Sequence, residues 1–81
     1  MPLIGEMSTS LQIELGRLIK GARCAKGLSQ EAFAFQCGYH RTYVGGIERG
    51  ERNITLATFH QISKALGTPM SSLLKDAEAM L

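Results

Sequence analysis

Glycine punctuation confines this chain to short helices. Apolar residues recur at three-and-four spacing in successive stretches, the pattern of helices that each bury one face, and Gly27, Gly38, Gly50 and Gly67 close four of these stretches. The first stripe is Leu11, Leu15, Leu18, Ile19, Ala22 and Ala25, with Ser10 placed to cap its start and Arg17, Lys20 and Lys26 outside it. A later stripe is Leu56, Phe59, Ile62, Ala65 and Leu66, behind the N-cap candidate Thr55. The last is Met70, Leu73, Leu74, Ala77, Met80 and Leu81, with Pro69 in the first turn and Thr68 as the candidate cap. The expected fold class is all-α, a five-helix bundle.

The middle of the chain carries the two remaining helices. Ser29 is a good N-cap for the second, although Ala32 at the third helical position gives no capping box. Phe33, Ala34 and Cys37 form its inward side, and Ala34 is small enough for two short helices to cross closely. Gly38 is placed to adopt the left-handed conformation at the turn. The third helix is predicted to start near His40 or Arg41 and to end at Gly50. Val44 and Ile47 face inward there, with Tyr43 along the edge, which leaves His40, Arg41, Thr42, Gly45, Gly46 and Arg49 outward. Two adjacent glycines cost roughly 1 kcal/mol each in a helix interior. Two explanations stay open: close approach of a DNA backbone or neighbouring helix, or poor helix formers tolerated because neighbours hold the helix. A short helix, a glycine turn and a second short helix ending in arginines form a helix-turn-helix, whose second helix enters the DNA major groove.

Eighty-one residues suffice for one domain, here divided into a loose arm over 1–10 and a single domain over 11–81 that ends in a dimerisation helix. At this length only about 60% of the unfolded surface is buried, so a partner subunit would help. The surplus apolar surface of the last helix points to Met70, Leu73, Leu74 and Ala77 as a homodimer contact, or alternatively to packing on the same chain. No apolar run reaches 18 residues and the opening MPLIGEM lacks positive charge and an apolar core, so neither a membrane span nor a signal peptide is expected. Cys24 and Cys37 lack metal-ligand spacing and are read as reduced thiols of a cytoplasmic protein. His40 and His60 are isolated from other ligand-forming side chains, so no metal or cofactor is expected. Without a nucleophile-base pair, carboxylate dyad or phosphate loop, the chain is not expected to be an enzyme.

The net charge is +2, but its distribution is uneven. Arg17, Lys20, Arg23, Lys26, Arg41, Arg49, Arg52 and Lys64 face only Glu31, Glu48 and Glu51 between Leu15 and Lys64. The basic charge therefore lies on the segment proposed to face DNA.

From about Leu15 to Leu74 the chain resembles the five-helix DNA-binding domain of phage Cro and repressor proteins, the Xre-type helix-turn-helix family. LGRLIKGARCAKGLSQEAFA, the following glycine, YVGGIERGERN, LATFHQISKALG and SSLL carry the match. RTYVGGIERGERN is most similar to the controller proteins of restriction-modification systems. The resemblance implies dimers that bind palindromic double-stranded DNA upstream of their own gene, near RNA polymerase. It places Arg41 and Thr42 at base edges, where arginine can donate two hydrogen bonds to guanine and threonine offers a hydroxyl and a methyl. It puts Tyr43 on backbone or base, Arg52 in a loop near the groove, and Ser29 and Gln30 at phosphate. Gly46, Arg49 and Asn53 complete the candidate DNA-facing set, and Arg23 and Glu48 are implied to be a structural ion pair.

His40 departs from the acidic or small residue usual at its position, and three roles stay open: helix cap, phosphate contact or base contact. Two rival functions also stand. One is a phage-type repressor or antitoxin that binds DNA and a protein partner. The other is a helical interaction module that has lost DNA binding, which the retention of Gln30, Arg41 and Arg52 opposes.

Overall fold

The first four helices of this protein start at side chains able to accept a backbone N–H left unpaired in the first turn. A computed structural model describes residues 9–81, which form α1 (Ser10–Ala25), α2 (Gln30–Cys37), α3 (Arg41–Glu48), α4 (Leu56–Leu66) and α5 (Met70–Ala79). Most of the expected N-terminal arm, residues 1–8, lies outside the described residues; Thr9 and Ser10 belong to the start of α1.

Thr9, not Ser10, caps α1. Its hydroxyl accepts from Gln12 N–H at 3.1 Å while Gln12 Oε1 accepts from Thr9 N–H at 3.0 Å, a reciprocal capping box. Ser10 would have put Ile13 at the third position, with no amide to return the bond. Ser29 and Thr55 cap α2 and α4 through Ala32 N–H and Thr58 N–H. Thr68 does not cap α5: Pro69 holds that position, and Thr68 N–H donates to Ser63 O at 3.1 Å, closing α4 beside Gly67.

The core takes a large side chain from each of the first four helices: Ile19, Phe33, Val44 and Ile62 are fully buried. Around them close Leu15, Ala34, Cys37, Ile47, Phe59 and Leu66. α1 lies along both α5 and α3, and α2 crosses α3 and touches α4. The α1–α5 contact takes Leu73 and Ala77 out of the expected dimer face. Leu73 is 4% exposed and Ala77 0%, both spent on the chain's own core, whereas Met70 and Leu74 are half-buried. Leu56 is corrected in the other direction: it is 77% exposed, because it opens α4 at the rim of the bundle. Leu11 and Ala25 are likewise exposed at the two ends of α1.

Gly16, which the hydropathy pattern passes over, decides how closely α1 approaches α3. A Cβ there would meet the Ile47 carbonyl oxygen and lie 2.6 Å from that of Glu48. Because the obstructing atoms are backbone, only glycine allows this approach.

Candidate nucleic-acid interface

α2 and α3 are joined by a turn that only a few conformations permit. Gly38 takes φ 81° and Tyr39 N–H reaches back to Ala34 O at 2.9 Å, so the last turn of α2 is closed as the chain changes direction. The chain then enters α3 at His40, whose Nδ1 accepts from Thr42 N–H at 3.1 Å. Of the three roles open to His40, the structure contains the cap. That bond requires an unprotonated Nδ1, so the ring proton sits on Nε2.

Arg41 and Thr42 follow at once, and both side chains are exposed. Every residue from Val44 to Glu48 is buried. The first turn of α3 therefore faces outward while the remainder anchors it. Ser29, Gln30 and Arg41 line one open groove between α2 and α3. Phe35 lines it too and is 87% exposed, a surface aromatic that sequence reasoning did not single out. Its one signal was its position off the Phe33, Ala34 and Cys37 stripe.

A buried ion pair fixes the far end of α3. Arg23 Nε donates to Glu48 Oε2 at 2.7 Å and Arg23 Nη2 to Glu48 Oε1 at 3.0 Å, the two-pronged geometry of a guanidinium on a carboxylate. Arg23 Nη1 donates to Leu28 O at 2.8 Å, which ties in the α1–α2 loop. Gln30 Nε2 adds a bond to Glu48 Oε1 at 3.1 Å, so one edge of its amide is committed inward and its role is at least partly structural. The hydrogen bond with Glu48 holds the Arg23 guanidinium pKa above its ordinary value, against the opposing effect of burial. Burial raises the Cys37 pKa, keeping it a thiol; Cys24 is exposed, and neither is in a disulfide.

The two adjacent glycines of α3 are buried, which corrects their expected outward placement. A Cβ at Gly46 would stand 2.7 Å from Arg52 Cγ, and one at Gly45 3.1 Å from both Gln30 Oε1 and Arg49 Nη1. The close approach they permit is thus to side chains of this same chain. Arg52 lays its aliphatic stem on Gly46, and Arg49 pairs through Nε with Glu51 Oε1 at 3.1 Å, both partners well exposed. Tyr43 is half-buried: its hydroxyl donates to Thr58 Oγ1 at 3.4 Å and its ring lies 5.3 Å from that of Tyr39, tilted 60°. It serves the packing of α3 on α4. Asn53 Oδ1 accepts from Gln12 Nε2 at 2.9 Å. Among the described residues no group of three or more His, Cys, Asp or Glu side chains could hold a metal, and no helix is long and apolar enough to cross a membrane.

A glycine-turned helix pair whose second member exposes arginine and threonine at its start defines the class of helix-turn-helix DNA-binding regulators. Sequence and structure comparisons agree. The helix-turn-helix family profile matches residues 19–73. Control protein C.BamHI of Bacillus amyloliquefaciens is 42% identical over 69 residues, covering 84% of this chain and 85% of that protein. Control protein C.SmaI of Serratia marcescens is 45% identical over 60 residues, covering 74% and 71%. The crystal structure of the restriction-modification controller protein C.AhdI from Aeromonas hydrophila superposes with a TM-score of 0.77 at 40% identity, over 80% of this chain and 98% of that one. The chain belongs to the Xre-type helix-turn-helix family, among the restriction-modification control proteins. It is a DNA-binding regulator and not an enzyme.

Proposed function

We propose that two copies of this protein bind a palindromic site upstream of their own gene and so time the expression of a restriction endonuclease in the cytoplasm. The observation that carries the reading is the division of α3, with Arg41 and Thr42 exposed at its first turn and its remaining turns buried. Arg41 reads guanine O6 and N7, and Thr42 reads a neighbouring base. Arg49, Arg52 and Asn53 supply backbone or edge contacts beside α3. The exposed start of α2, with Ser29 and Gln30, meets phosphate. His40 offers Nε2–H on the same side as Arg41.

The two subunits would join through the groove that Leu11, Ile54, Leu56 and Leu74 line, about 350 Å³ in volume, which presents the exposed Leu56. Their recognition helices would then lie about one DNA turn (~34 Å) apart. Bound at a promoter, the dimer would meet RNA polymerase.

The experiment is titration of the protein against its upstream DNA and a scrambled duplex at one fixed salt concentration. Cooperative binding to the native fragment alone is expected. Arg41→Ala should cost roughly 1–3 kcal/mol on that fragment and much less on scrambled DNA. Equal losses on both would remove Arg41 from base reading.

A further inference from the structure

Gln12 lies on α1, outside the helix-turn-helix, yet its amide is used at three points. Oε1 accepts from Thr9 N–H at 3.0 Å, while Nε2 donates to Arg52 O at 3.2 Å and to Asn53 Oδ1 at 2.9 Å. The first bond fixes the amide within the capping box, so its two donors have a set direction. The other two reach 40 and 41 residues along the chain, to the loop that follows α3.

That loop has a second hold. The Arg52 stem rests on Gly46, where any side chain would displace its Cγ. Backbone held by Gln12 and stem held by Gly46 together direct the guanidinium along the flank of α3. Asn53 turns its oxygen toward Gln12, which leaves its Nδ2 hydrogens as the donors available to a ligand. Arg52 and Asn53 are exposed, and loops this short and polar otherwise move freely.

We infer that Gln12 is a positioning residue for DNA recognition, holding the loop of Arg52 and Asn53 in its DNA-reading arrangement without touching DNA itself. The inference rests on the reading of Arg52 and Asn53 as DNA contacts. An unfixed loop must be ordered during binding, and the lost order appears as weaker affinity.

Gln12→Glu is the informative change, because glutamate can still accept from Thr9 N–H but cannot donate to Arg52 or Asn53. Gln12→Met removes the donors, together with the acceptor for Thr9 N–H, without adding charge. The duplex is one selected from a random pool by the wild-type protein, so the result does not depend on where the natural operator lies. Both variants should bind it about tenfold more weakly, the loss of two ordinary hydrogen bonds. In an Arg52→Ala/Asn53→Ala background, adding Gln12→Glu should cost nothing further. A full extra loss in that background would mean charge repulsion or a fold defect and would overturn the inference. NMR order parameters for residues 51–55 should fall in Gln12→Met while those of α2 and α3 hold. An unchanged loop overturns it as well, whatever the DNA result, and a wild-type protein that selects no sequence would count against base-specific DNA reading instead.

Discussion

Gly16 and Gly21 share a helix and a residue type, yet substitution should act on them with opposite signs. At Gly21 a Cβ meets nothing within 4 Å, so Gly21→Ala should gain the helix-propensity difference, about 0.5–1 kcal/mol. At Gly16 it meets the backbone carbonyls that end α3, and Gly16→Ala should destabilise by roughly 1–3 kcal/mol despite the same propensity gain. Thermal unfolding of the two variants checks both; a shared sign would mean that α1 and α3 can part without cost. Glu48 poses the related problem of a buried charge. Glu48→Ala leaves Arg23 buried without its carboxylate and should cost about 3–5 kcal/mol, read as denaturant midpoint. Because the Arg23 pKa is raised, its stabilising contribution is fully present at neutral pH, where Glu48 is ionised, and on the alkaline side is lost only in strong alkali. Glycine has no hydropathy to place it on a face, so Gly16 was invisible to a pattern of apolar spacing. Arg23 and Glu48 became legible only through resemblance, since spacing alone cannot pair residues 25 positions apart.

Among the elements, α3 is the one whose start matters most. It has eight residues, too few to be stable alone, and depends on its cap and its buried end. His40→Ala should therefore loosen the first turn and cost about 1 kcal/mol, while His40→Ser, which can still accept from Thr42 N–H, should restore most of it. Amide exchange at Thr42 and Tyr43 distinguishes the two variants, and equal exchange in both would show the cap to be idle. α1, α2 and α4 end where their glycines suggested, because Gly27, Gly38 and Gly67 with positive φ mark stops that no tertiary contact needs to supply, whereas α3 ends at Glu48, ahead of the stop expected at Gly50. Starts were less legible. Thr9 and Ser10 are both good caps, and the choice fell to Gln12, a residue whose part in the α1 start depends on side-chain geometry.

For the molecule as a whole, what remains exposed after folding differs from what apolar spacing suggested. Leu73 and Ala77 disappear beneath α1, and Leu56 emerges at a groove with Leu11, Ile54 and Leu74. Periodicity tells which residues share a face but not which neighbour covers it, and for α5 the neighbour was α1. If that groove receives a second copy, Leu56→Glu should yield a monomer by analytical ultracentrifugation at concentrations where the wild type is dimeric, with helical content unchanged. A dimer that persists would place the interface elsewhere. The exposed first turn and the supporting core meet within one short helix but do not share residues: Arg41 and Thr42 stand outside, while Val44, Ile47 and Glu48 hold the helix in place. Such a layout separates two kinds of selection. If Arg41 and Thr42 read bases as proposed, mutation at the exposed turn can move the protein to a new target without first passing through an unfolded ancestor, so a lineage built on this scaffold can diversify its addresses while its architecture stands still.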